Sequence, residues 1–120
     1  MLPDFLKSYQ TLTAGNTGLV AQAAKSTLCG WSISNSGAAI QHVKLYNKAT
    51  APTVGTDVPE MIIPVPAAVG GVPGVANPSI GFHGFRFALG LGVAITRNAV
   101  HTDTTAIGAG EVKLKLSRTV

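Results

Sequence analysis

At 120 residues the chain has the size of one domain. It can bury roughly two-thirds of its unfolded surface, enough for a core without disulfides or metals. Hydrophobic residues make up 46% and charged residues only 12%, about half the charged share of an ordinary soluble domain. The net charge is +4, and no apolar run approaches the roughly 20 residues that cross a bilayer. The opening MLPDFLKSYQ lacks a basic region followed by an apolar one, so neither a spanning helix nor a secretory leader is expected.

In chain order, Leu2 to Gln10 reads two ways: Asp4 capping a short helical turn, or an extended arm. Leu19 to Lys25 is a candidate strand weakened by its alanines. A strand from Thr27 to Ser34 stops at the turn cluster Asn35, Ser36 and Gly37. It holds Cys29, the only cysteine, so no internal disulfide forms and a cytoplasmic assembly environment fits. As a strand residue Cys29 shares a face with Trp31 and Ile33, which makes it a buried thiol rather than a nucleophile.

Ile40 to Lys48 suits a half-buried strand, with Val43 and Leu45 on one face and His42, Lys44 and Tyr46 on the other. The link Ala49 to Asp57 carries the turn formers Pro52, Gly55 and Asp57. Met61 to Val65 is the next strand. Pro64 and Pro66 lack the N–H a ladder needs, so this strand must end there or lie at a sheet edge.

Phe82 to Phe87 is an aromatic-rich strand. Leu89, Leu91, Val93 and Ile95 then alternate with Gly90, Gly92, Ala94 and Thr96, giving one large apolar face and one nearly bare face. Glycines on a bare face suit a bend or the close approach of another segment. Asp103, before Thr104 and Thr105, reads as a turn. Glu111 to Ser117 closes the chain as a strand with Val112, Leu114 and Leu116 inward and Lys113 and Lys115 outward; Arg118 extends the basic tail off that stripe. Trp31, Val43, Leu45, Leu91, Val93, Leu114 and Leu116 are expected to face the core. Short strands between turn signals, with no long helical periodicity and no internal repeat, predict a sandwich or barrel.

Between Met61 and Phe85 there is no lysine, arginine, aspartate or glutamate, and His83 is the one ionisable side chain. Within it, residues 66–81 form an apolar loop rich in glycine and proline. Loops normally lie at the surface and are polar, and one this long and apolar is either a small-residue connector packed on its own sandwich or a subunit contact. Val69, Val72, Val75 and Ile80 are the candidate contact residues. The low charge content agrees, because a lone monomer would be thinly covered and other chains are expected to cover some apolar surface.

No catalytic or metal site is expected, and no cofactor. His42, His83 and His101 form no His-x-x-x-His pair, and there is no Cys-x-x-Cys pair. Asp4, Asp57, Glu60, Asp103 and Glu111 form no calcium loop; turn geometry accounts for Asp57. Gly90-Leu91-Gly92 and Gly108-Ala109-Gly110 do not open a helix after a strand, as a dinucleotide loop must, and there is no Gly-x-Ser-x-Gly elbow. The pI near 9.6 raises the question of nucleic acid. Lysines on a terminal strand keep it soluble and guard its edge, and aromatics are not interleaved with them as a stacking platform requires, so nucleic acid is not an expected partner.

The stretch His42 to Ala67, HVKLYNKATAPTVGTDVPEMIIPVPA, with its KLYNKA, APTVGTD and IPVP segments, resembles small virion proteins of tailed bacteriophages. The closing FALGLGVAITRNAVHTDTTAIGAGEVKLKL, with DTTA before the final strand, resembles the same family. The likeness runs from about Trp31 onward; the first thirty residues lie outside it and Val69–Ile80 departs from its pattern. It implies a structural subunit of the capsid exterior or tail. The expectation is an all-β, single-domain antiparallel β-sandwich, jelly-roll-like, with residues 1–26 as an arm or first strand and 27–120 as the body. The expected role is a capsid decoration or cement subunit in the virion, made in the host cytoplasm. Its expected partners are its own copies as a homo-oligomer, a trimer, and the major capsid protein or tail proteins. The alternatives are a tail or baseplate subunit, or a receptor- or glycan-binding module using Trp31, Tyr9 or Tyr46 as platforms.

Overall fold

The computed structural model describes residues 6–11, 16–77, 84–108 and 110–119, the first segment by its backbone path. The strands are β1 (Leu6–Thr11), β2 (Leu19–Gln22), β3 (Ser26–Asn35), β4 (Gln41–Asn47), β5 (Met61–Val65), β6 (Gly74–Ala76), β7 (Phe85–Phe87), β8 (Leu91–Thr96) and β9 (Val112–Thr119). Among the described residues there is no helix. The strands form two antiparallel sheets. One runs β1-β9-β3-β6, with β7 also paired to β3, and the other runs β2-β8-β4-β5. The pairs nest: β1 with β9, β2 with β8, β3 with β6 and β7, β4 with β5.

Both sheets contribute to one apolar core. Leu28, Ile33, Phe87, Val112, Leu114 and Leu116 come from the first, and Ala21, Val43, Leu45, Ile63, Val65, Leu91, Val93 and Ile95 from the second. In β9 the two-residue period is clean, with Val112, Leu114 and Leu116 buried and Lys113 and Lys115 exposed. Val43, Leu45, Leu91 and Val93 are buried as expected, while Trp31 packs against the core only partly buried. Leu89 is 62% exposed and precedes β8, so the strand's large face begins at Leu91.

Cys29 is buried, but it sits at a bulge where β9 pairs with Leu28 and then with Gly30. The extra residue switches the facing, so Leu28 and Ile33 both reach the core although they lie five positions apart, an odd step that would put them on opposite faces of a regular strand. Burial pushes the thiol pKa up, away from nucleophile behaviour.

Pro64 within β5 and Pro66 just after it have the consequence their chemistry demands. Among the described residues that strand pairs with β4 alone, and Pro64 stands exposed at the sheet edge opposite His42. Of the segment 2–10, read as a helical turn or an arm, the described part from Leu6 belongs to β1, a strand paired with β9. The loop at 66–81 holds β6, which pairs with Ile33–Asn35. Arg118 does not extend a basic tail. Its Nε donates to the Ala21 carbonyl at 3.0 Å, tying β9 to the other sheet, and burial lowers its pKa.

The second sheet departs most from a half-buried surface. Lys44 and Tyr46, on its outer face, are fully buried. Two loops roof them. Pro52 packs on the bare Gly92, whose missing side chain leaves the space, and Gly90 lies against the backbone at Lys48 and Ala49. Asp57 holds the first loop: its carboxylate accepts from Lys48 Nζ and from Thr53 N, each at 2.7 Å. Asp103 holds the second, accepting from Asn98 N, Asn98 Nδ2 and the Thr105 hydroxyl. Lys44 Nζ reaches up to the carbonyls of Val100 at 2.7 Å and Asp103 at 3.2 Å.

Candidate contact surface

Within the apolar loop, residues 69–72 form an exposed hairpin. Val69 and Val72 exchange both backbone hydrogen bonds, at 2.9 and 3.0 Å, and close a two-residue hairpin. The central residues Gly70 and Gly71 have φ of 59° and 81°. Both angles lie in the left-handed region that this turn requires and that side chains resist. The turn sets Val69 and Val72 beside each other across the hairpin, 77% and 67% exposed.

The base of the hairpin is clamped by Asn35, which is fully buried. Its Nδ2 faces the carbonyls of Ala39, Val65 and Pro66 at 2.9, 3.3 and 3.1 Å, and its Oδ1 accepts from Gly37 N. Two amide hydrogens serve three carbonyls, so one is shared. Ala68 N donates to Gly37 O, and Gly74 lies so close to Pro66 that any side chain there would collide. On the return, Asn77 Oδ1 accepts from Ile33 N.

Val75 follows in β6, 55% exposed and opposite Ser34. Ser34 is in turn opposite Lys113 of β9. Val75, Ser34 and Lys113 therefore form one row across the outer face of the first sheet, with Val75 and Lys113 about 10 Å apart at two strand spacings. Of the four candidate contact residues, the structure gathers Val69 and Val72 in one hairpin and sets Val75 at the adjoining sheet edge. Ile80 lies outside the described residues. No described residue from Met61 to Asn77 is charged.

Beside the clamp runs a polar chain that sequence reading did not single out. Arg97 Nε donates to Gln41 Oε1, and Gln41 Nε2 donates to Glu111 Oε2 at 2.9 Å. Ser36 N donates to Glu111 O at 2.8 Å, fixing the turn after β3 to the start of β9. Only the cluster Asn35-Ser36-Gly37 signalled it, and that reads as a turn rather than as an anchor.

The candidate sugar platforms do not form one. Tyr46 is buried beneath the roof, Trp31 is half-buried against the core, and the Tyr9 side chain lies outside the described structure. His42 Nδ1 lies 3.0 Å from the Arg97 carbonyl. Among the described residues no three of His, Cys, Asp and Glu gather to hold a metal ion, and no helix is long and apolar enough to cross a membrane. Comparison with protein-family models, with curated proteins and with solved structures finds no match to this chain.

Proposed function

We propose that the chain is a structural subunit of a bacteriophage virion, most specifically a capsid decoration or cement protein that binds through the Val69–Val72 hairpin and Val75. The carrying observation is this uncharged hairpin and its return strand, in which three neighbouring valines are more than half exposed. A cluster of exposed apolar side chains with no charge among them is the kind of patch that marks a contact surface. Copies of the same chain in a homo-oligomer, with a trimer as the specific proposal, and a capsid or tail protein are the proposed partners. Weak contacts of this size hold when repeated over a symmetric shell.

The strand order supports a jelly-roll reading. First pairs with last, second with next to last, third with β6 and β7 in succession, and the central pair closes the roll. Jelly rolls are used in viral shells and also in lectins, and fold alone does not choose between them. Among the described residues Tyr46 is buried and Trp31 half-buried, leaving Phe85 of the short β7 as the exposed aromatic ring, which favours the shell over a glycan-binding module. A tail or baseplate site would use the same contacts.

The test is the pair Val72→Asp and Val75→Asp. In the free subunit both positions meet water, so the fold should be kept. In a contact each charge loses hydration without gaining a partner, and oligomerisation or virion attachment should be lost. The control is Lys113→Glu with Lys115→Glu. An attachment assay in which the lysine pair fails while the valine pair behaves as wild type would overturn the proposal, as would a clean monomer at micromolar concentrations that needs no virion partner.

A further inference from the structure

The other end of β3, ten residues and about 30 Å of strand from the hairpin clamp, carries a second feature. A cleft of about 150 Å³ opens there, lined by Lys25, Ser26, Thr27, Arg86 and Thr119. Strand pairing fixes its walls: Thr27 lies opposite Arg86, and Ser26 opposite Phe87. Hydrogen bonds fix its floor. The Ser26 hydroxyl donates to the Thr119 carbonyl, and Thr27 N donates to the Thr119 hydroxyl at 2.9 Å. Having accepted that bond, the Thr119 hydroxyl keeps its own proton to donate.

Lys25 and Arg86 are both exposed. The ion pair among the described residues is Lys48–Asp57, and no described carboxylate pairs with either cation of the cleft. Two like charges opening on one small space repel unless an anion lies between them. A planar guanidinium beside an ammonium and a hydroxyl is a donor set matched to the two oxygens of a carboxylate. Among the described residues that line it, none is an aromatic or apolar side chain on which a base or sugar could stack. Arg118, next along β9, turns away to Ala21, so the cations form an isolated spot rather than a track along a phosphate backbone.

We propose that this cleft is a carboxylate-binding subsite that receives an acidic side chain of a protein partner. It would give the molecule a charged attachment point at the end opposite its apolar one, and it does not depend on the role given to the hairpin. The experiment uses the full chain and two fluorescent probes of equal formal charge, a glutamate-rich peptide and a single-stranded oligonucleotide. They are titrated by anisotropy against wild type, the pair Lys25→Gln with Arg86→Gln, and the pair Lys113→Gln with Lys115→Gln. The expected result is saturable, salt-sensitive peptide binding that falls at least tenfold for the cleft pair and less than twofold for the strand pair, with the oligonucleotide weaker on wild type. Circular dichroism should show the fold unchanged. Acetate should produce a saturable shift of the Arg86 Nε and Thr27 amide resonances. Equal loss from both lysine-containing pairs would mean that only net charge acts, and tighter oligonucleotide binding would mean a phosphate ligand. Either result, or no saturable peptide binding at millimolar concentration, overturns the proposal.

Discussion

Leu114→Ala measures whether the two-residue period of the last strand is read correctly. Leu114 is 1% exposed and sits in β9 between β1 and β3, opposite Thr11 on one side and Ile33 on the other. Truncation removes three carbons, worth about 2.4 kcal/mol at about 0.8 kcal/mol each. A central strand held on both sides collapses poorly into the space, and each ~40 Å³ left empty adds about 1 kcal/mol. The expected cost is therefore about 2.5–4.5 kcal/mol. Lys113→Ala, one residue away on the exposed face, should lie within about 0.5 kcal/mol of wild type. Urea unfolding by fluorescence reads both, and the cost should appear as a lower midpoint at unchanged slope. Equal losses at the two positions would refute the assignment of the faces.

Other expectations follow from buried polar groups. Asn35→Ala leaves three carbonyls and the Gly37 N–H without their partner; the expected loss is at least about 2 kcal/mol, with faster hydrogen exchange at Ala68 and Val72. Burial lowers the Lys44 pKa more than the charge of Asp103 raises it. The unfolded chain therefore holds that proton to higher pH, and stability should rise with pH as the ordinary lysine range is approached. Lys44→Met should flatten that rise in urea midpoints taken between pH 7 and 10. The Asp57 and Asp103 carboxylates are held below the usual range, the first mainly by Lys48 and the second mainly by the Thr105 hydroxyl. Their contribution is fully present above the ordinary carboxylate pKa of about 4 and is lost as pH falls towards the depressed folded values. Amide resonances of Thr53 and Asn98 should therefore hold steady at neutral pH and move only in acid.

The parts of the fold that local chemistry dictates were legible in the residues. Met61–Val65 appears with the bounds its prolines imply, and Gly92 of β8 with Gly90 just before it does admit a crossing segment. What stayed hidden depends on distant partners. His42, Lys44 and Tyr46 alternate as an exposed face would, and only the loops at 49–57 and 98–105, folding back over the sheet, bury the lysine and tyrosine. Cys29 shows no local sign of the bulge that re-aims β3, because the bulge is a mismatch with β9. Arg118 reads as tail until β2 lies beneath it. For the contact surface, the valines and the lack of charge were visible. Val69-Gly70-Gly71-Val72 also carried a hairpin signal that a reading of the segment as one long loop passes over. The cleft was not visible at all, since Lys25, Arg86 and Thr119 are far apart in the chain and meet only through the pairing of β3 with β7 and β9.

The two sheets differ in what they leave for a partner, and the difference traces to where the carboxylates fall. Asp57 and Asp103 each fasten a loop over the second sheet, and Lys48 and Lys44 are used in the same roof. That face is covered by the chain's own loops and spends two of its cations there. Over the first sheet no described carboxylate is placed, so Lys113 and Lys115 stand exposed with serines opposite them, and Lys25 and Arg86 stand at one end. The apolar hairpin lies at the other end. A partner meeting this sheet would find an uncharged projection at one end and a cationic cleft at the other, with Lys113 and Lys115 exposed to solvent between them. A surface complementary to both ends must be apolar at one and carry a carboxylate at the other. Attachment through both ends should weaken in salt without being abolished by it, because screening acts on the cleft cations and leaves the valine contact in place.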